Sequence, residues 1–208
     1  MRERSVTLVF AVALLVTACG GSKLGNDRPR AQRGENWGYH SGTVDTRWNE
    51  DGRTMTLLNE LIYTDPDGVV WVAPKGAKVD GASIPRAFWS LMGGPFEGKY
   101  RNASVLHDVA YDEKRRPWQD ADRMFYNAMR CSGVSAVEAK TMYYALVRHG
   151  RHWNFSIKKA QALEPGDDAE IRRATPVKPA DVDAMQQWVR ENDPSLKQIE
   201  ARAAAESQ

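Results

Sequence analysis

Apolar residues recur roughly every second position in the first half of this chain and every third or fourth position later, and the change falls near residue 80. "TVDTRW" from Thr43, the turn residues "NEDG", and "RTMTLLNELIYT" read as two strands around a tight turn. "DPDG", Asp65 to Gly68, is a second turn, and "VVWVAP" continues the pattern. An antiparallel meander of three or four strands is expected over 43–80. "DGASIPRAFWSLMGGP" then opens as a loop, with a short helix after Pro85 that "GGP" breaks. Three helical patterns follow. Tyr100 to Asp112 places Ala103, Leu106, His107 and Ala110 on one face. Pro117 to Cys131 opens with a proline suited to a first helical turn and carries Ala121, Met124, Phe125, Ala128 and Met129. Ser135 with Glu138 forms a capping-box pattern, and Gly150 is the expected stop. Strands first and helices afterwards predict an α+β fold, a small antiparallel β-meander followed by about three packed helices.

The two ends follow other rules. Arg2 and Arg4 precede an apolar run from Val6 to Val16, which is too short to span a bilayer and has the anatomy of a secretory signal over 1–18. Its end, Val16-Thr17-Ala18-Cys19, resembles the bacterial lipobox. That resemblance implies cleavage before Cys19, acylation of its sulfur (palmitate being a typical chain), and attachment to the membrane through several chains at about 0.8 kcal/mol per buried methylene. Gly20, where an aspartate would redirect sorting, implies the outer membrane facing the periplasm in a Gram-negative cell. An ordinary signal peptide that ends near a cysteine is the other reading. Residues 19–42 read as a flexible tether, 43–154 as a single α+β domain, and 155–208 as a polar linker with a C-terminal helical extension. Ala180–Asn192 and Pro194–Ala205 are helix candidates without a wide apolar stripe. With Cys19 lipidated, Cys131 has no partner for an intrachain disulfide and reads as a small buried hydrophobe.

Composition narrows the function classes. A hydrophobic content of 42% with seven tryptophans supports a real core in the 208-residue chain. A net charge of +2 lacks the basic footprint of a nucleic-acid binder, and that class is set aside.

Candidate chemistry concentrates in "LHDVAYD", Leu106 to Asp112. On a helix, His107 and Tyr111 share a face, and Asp108 lies about 100° around the axis from His107. The next helix supplies "ADRMF", with Asp122 at the margin of its apolar face. The connection "EKRRP" is short, which makes the two helices neighbours and lets Asp122 reach one imidazole nitrogen of His107. A carboxylate there sets the tautomer and leaves the other nitrogen for water. The bland alternative is a buried polar network that ties two helices together. Asp80, Ser83 and Arg86 form a second polar group. Ser83 and Asp80 are expected to cap the turn after Pro85, with Ser83 as nucleophile the lesser reading, and Arg86 to pair with Asp80 or Asp108. His149 and His152 supply too few ligands for a metal site and suit a helix C-terminus, while His40 falls in the tether. Phe88 and Trp89 either border an apolar groove or cover the sheet.

"HDVAY" followed by "ADRMF" resembles phospholipase A2, most closely its compact viral form. The resemblance implies His107 as the base, Asp122 as its orienter with Tyr111 in support, and Asp108 as a calcium ligand together with carbonyls of a glycine-rich loop. "LMGGPFEGKY", Leu91 to Tyr100, stands in the loop's place without its "Y-x-G-x-G" order. Calcium enters only through this resemblance. Over 70–150, "KVDGASIPRAFWSLMGGP", "LHDVAYD", "ADRMFYNAM" and "MYYALVRHG" resemble the bacterial and phage family called domain of unknown function 1353, which implies a fold unit and an envelope or phage setting but no activity. The expectation is a lipid-anchored cell-envelope protein, attached to the membrane through Cys19, whose domain is a non-catalytic module for an envelope protein, a cell-wall component or a lipid. The alternative is an ester hydrolase that activates water with His107 and Asp122.

Overall fold

The computed structural model describes residues 36–81, 83–89, 93–94, 96–155 and 170–207. The signal segment and Cys19 lie outside the described residues. Among the described residues, no helix is long and apolar enough to cross a membrane.

The chain is α+β, as its periodicity predicts. Its strands are β1 (Tyr39–Ser41), β2 (Thr46–Trp48), β3 (Met55–Leu57), β4 (Leu61–Thr64), β5 (Val70–Ala73) and β6 (Lys78–Val79). They form two three-stranded antiparallel sheets, ordered β1-β4-β5 and β2-β3-β6, rather than one meander. The split occurs inside "RTMTLLNELIYT". Leu57 and Leu61 are both buried, and the residues between them turn outward with Leu58 exposed. Asp45 fastens that bend, its carbonyl accepting from the Leu58 amide at 2.8 Å and its carboxylate from Asn59 Nδ2 at 2.9 Å. The two predicted turns are present. Gly52 and Gly68 take positive φ and donate back to Asn49 and Asp65.

β1 lies within the stretch read as tether, so ordered structure starts earlier than expected. Its short, mostly exposed pattern carries no apolar alternation, and its order comes from partners elsewhere. It pairs with β4, and His40 Nε2 lies 3.1 Å from Ser132 Oγ at the end of the second helix. Burial holds the His40 ring below its usual proton affinity, with a hydrogen bond to the Ala128 carbonyl working against that.

A 3-10 turn, Arg86–Phe88, leads to α1 (Arg101–Glu113), α2 (Trp118–Cys131) and α3 (Ala136–His149). Ser135 caps α3 as predicted. Its hydroxyl accepts from the Glu138 amide, and the Glu138 carboxylate accepts from the Ser135 amide. Gly150 ends α3 in an extended conformation, and a Cβ there would meet the Leu146 carbonyl oxygen at 2.5 Å and Tyr111 Oη at 3.2 Å. The glycine serves close approach rather than a left-handed cap. Beyond it, β7 (His152–Trp153) pairs with β8 (Glu170–Arg172).

α4 (Pro179–Asn192) and α5 (Leu196–Glu206) pack against α3. Their apolar stripes are narrow, Val182, Met185 and Val189 on one and Ile199 and Ala203 on the other. They suffice because α3 is apolar nearly all round, with Met142, Tyr143, Tyr144, Leu146 and Val147 buried, and a helix of that kind needs cover on every side.

Candidate functional site

The site is built by three elements. After β6 the chain turns through Asp80 and Gly81 toward Ser83 and Ile84, whose buried side chain anchors the loop in the core. Opposite it, α1 presents His107, Asp108 and Tyr111, and α2 presents Asp122. The side chains of His107 and Asp122 have no exposed surface at all.

The predicted proximity is present, with His107 Nε2 3.0 Å from Asp122 Oδ1. Tyr111 donates its hydroxyl to the same carboxylate oxygen at 2.5 Å. The rings of Tyr111 and Phe125 lie against the imidazole at centroid distances of 4.0 and 4.7 Å and close it off from solvent.

The other nitrogen departs from the expectation. His107 Nδ1 is not open to water, because Ser83 Oγ stands 3.0 Å from it. Ser83 therefore does not cap the turn after Pro85, where no side-chain cap bond exists. Its hydroxyl also donates to Asp108 in a short hydrogen bond. Asp108 in turn accepts from the Gly81 amide at 2.6 Å and from the Ser83 amide at 3.4 Å. Ser83, His107, Asp122 and Tyr111 thus form one hydrogen-bonded line through the helical layer, with Asp108 branching from the serine. Burial raises the proton affinity of Asp108 against the pull of those donors, and partial desolvation does the same for the more exposed Asp112 one turn on.

A cavity of about 560 Å³ opens at the serine end of this line. Ser83, Asp108 and Tyr111 contribute to its floor, and His107 and Asp122 lie behind them. Lys78, Arg86 and Arg151 give it three cationic side chains. Residues 174–177 form part of its wall, fastened by His149 Nδ1 at 2.8 Å from Thr175 Oγ1 and by the Thr175 amide donating to the His149 carbonyl.

Of the second polar group, only Ser83 joins the network. Asp80 pairs with Arg53 at 3.5 Å, not with Arg86. Arg86 lies over the Trp89 ring at 5.7 Å rather than against Asp80 or Asp108. Phe88 is wholly buried in the core. His149 and His152 diverge, since His152 stacks on Trp118 at 3.4 Å. Cys131 is half-buried with its thiol proton held by burial, and it donates to the Gly38 carbonyl.

The residues do not fit calcium. Both oxygens of Asp108 already receive N–H or O–H donors, so a cation would compete with Gly81 and Ser83 for them. In the glycine-rich stretch, the Gly93 and Gly94 carbonyls face the Tyr100 hydroxyl at 2.5 and 2.7 Å. Among the described residues, no three His, Cys, Asp or Glu gather in a way that suits a metal.

Sequence reasoning ranked one feature of the site too low and missed another. The role of Ser83 depends on a loop 24 residues before His107, and only the placement of β6 brings the two together. The wall at 174–177 comes from the stretch read as linker and carries no pattern that announces it.

The chain is 41% identical over 143 residues to the uncharacterized protein y4jT of Sinorhizobium fredii, covering 68% of this chain and 43% of that protein. It is 38% identical over 107 residues to the uncharacterized protein y4iH of the same organism, covering 51% of this chain and 45% of that protein. The chain thus spans less than half the length of these curated relatives. No solved structure matches it. The family model described as "Protein of unknown function (DUF1353)" matches residues 55–146, which run from β3 to the last turn of α3 and take in Ser83, His107, Asp108, Tyr111 and Asp122. The line of side chains described above therefore falls wholly inside the stretch, residues 55–146, that matches this family of unknown function.

Proposed function

We propose that this protein is a lipid-anchored envelope protein whose domain holds a carboxylate-bearing cell-wall fragment in the cavity beside Ser83. The anchoring rests on the signal-like apolar run and the Val16-Thr17-Ala18-Cys19 ending. The binding reading is carried by one observation. The cavity is lined by Lys78, Arg86 and Arg151 together with Asp80, Asp108 and Asp112, and each carboxylate is already engaged, Asp108 by the loop beneath it, Asp80 by Arg53 at 3.5 Å and Asp112 by Arg151 at 3.9 Å. The cavity floor is therefore poorer in available negative charge than its residue types suggest, and it suits an anion. In this reading His107 does not face water and reaches the cavity only through Ser83.

Titration of the full chain with soluble muropeptides tests the binding. Measurable affinity, weakened at least tenfold by Arg86→Glu with Arg151→Glu, is expected, and no heat of binding ends the reading. Metabolic labelling with palmitate tests the anchor, with incorporation expected in the wild type and lost in Cys19→Ser.

A second reading, ester hydrolysis, is favoured by the contact between Ser83 Oγ and His107 Nδ1. Its phospholipase-like form, with water on His107, has lost its water position to the serine. A serine-based form keeps the contact between Ser83 and His107 and needs only the serine hydrogen to turn from Asp108 to the imidazole.

A further inference from the structure

We propose that Ser83 is an acyl-transfer nucleophile, so that the cavity hydrolyses a carboxylic ester of a small anionic acid. The inference rests on the reading that this cavity takes a carboxylate-bearing ligand, and it adds a reaction to it.

The argument runs through the buried line from its far end. Asp122 Oδ1 accepts the Tyr111 hydroxyl and sits at hydrogen-bond distance from His107 Nε2. An ionised carboxylate only accepts, so Nε2 carries the hydrogen, and in a neutral ring Nδ1 is then the acceptor. Ser83 Oγ lies 3.0 Å from that acceptor, within reach for proton transfer. Nucleophile, base and orienter thus lie in one hydrogen-bonded row, and the nucleophile is the member that lines the cavity. Asp108 competes for the hydroxyl hydrogen in the resting arrangement. Its burial favours the protonated acid. In that form it donates to Ser83 Oγ and turns the serine hydrogen toward His107.

The reaction closes with water as its co-reactant. Ser83 Oγ bonds to the ester carbonyl carbon as its proton passes to His107 Nδ1. The tetrahedral adduct collapses, the carbon–oxygen bond to the alcohol breaks, and the departing alkoxide takes the proton from Nδ1. Water then attacks the acyl-serine, giving a proton to Nδ1, and the acid leaves as that proton returns to Ser83. The Gly81 and Ser83 amides are already given to Asp108. The charge developing on the carbonyl oxygen is therefore met by the cations that line the cavity, of which Arg86 is three residues from the serine.

The full chain, solubilised in detergent, is treated with a fluorophosphonate probe and digested for mass spectrometry, and turnover of 4-nitrophenyl acetate and mono-4-nitrophenyl succinate is followed in parallel. The expected results are a phosphonyl adduct on Ser83 and faster turnover of the anionic succinate, with both signals lost in Ser83→Ala. The adduct is read on the wild type, so the outcome stands even if the variant does not fold. Wild-type protein without an adduct at Ser83 overturns the proposal. If muropeptides still bind that protein, the nucleophile alone has failed; if they do not, the ligand site has failed with it.

Discussion

Two regions of this molecule join elements with the same pair of groups, a tyrosine hydroxyl and a carboxylate, under opposite conditions. Between α1 and α2, Tyr111 donates to Asp122, whose carboxylate is fully buried and shared with His107. Between α3 and α5, Tyr143 donates to Glu200 at 2.6 Å and Tyr144 to Glu206 at 2.5 Å, with Arg123, Arg148 and Arg202 bringing charge from the solvent side. The outer pairs can exchange their partners for water. The buried stretch of the inner line, His107, Asp122 and Tyr111, cannot, so each of these three depends on the others. Proximity of the same two groups therefore fixes neither strength nor role. Access to water does.

The sharpest way to break the comparison is to remove one carboxylate from each region. Asp122→Ala leaves an imidazole and a phenol buried without their shared acceptor and is expected to cost about 3–5 kcal/mol in urea unfolding. A loss near that of a surface pair would erase the distinction. Gly150→Ala attacks the inner region from outside, since the new Cβ meets the Leu146 carbonyl and approaches Tyr111 Oη. A loss of about 1–3 kcal/mol is expected, read as a lower thermal midpoint. Glu200→Ala removes an acceptor with a half-exposed arginine beside it, and about 1 kcal/mol is expected by the same urea measurement.

The smallest effect is a difference in sign with pH. Burial raises the folded proton affinity of Asp108 above the ordinary value of 3.8, so the folded state holds a proton that the unfolded chain releases. Its contribution is full below that value and is lost as pH rises through the folded one. Glu206 runs the other way. Burial opposes its ionisation, but the hydrogen bonds from Tyr144 and Arg202 prevail and the folded value falls below 4.5. Its contribution is present above 4.5 and is lost as pH falls through the lowered value. Unfolding midpoints followed from about pH 3 to about pH 7 should lose a falling component in Asp108→Asn and a rising one in Glu206→Gln. Parallel changes in the two variants would contradict the assignment.

The inner region was also the more legible in the sequence. Helical periodicity and the short "EKRRP" connection are local signals, and together they placed His107 against Asp122. Ser135 and Glu138 marked the start of α3 for the same reason. What was ranked low or missed depends on distant chain. Ser83 meets His107 only because β6 delivers its loop across α1. β1 is ordered by β4 and by the end of α2 rather than by any alternation of its own. The bend at Leu58 to Glu60 sits in a segment whose apolar residues continue on both sides, which disguises two strands as one. For the C-terminal helices a signal did exist. α3 is too apolar to stand in water, and something had to cover it.

The clasp between His149 and Thr175 bears on how the molecule can be trimmed. The family match ends at residue 146, but one side of the cavity and the covering of α3 come from residues beyond it. A fragment cut at the family boundary would expose Tyr143 and Tyr144 to water and leave the recess beside Ser83 without a flank. Both ligand and reactivity measurements on such a fragment would report on a different surface from the one the whole chain presents.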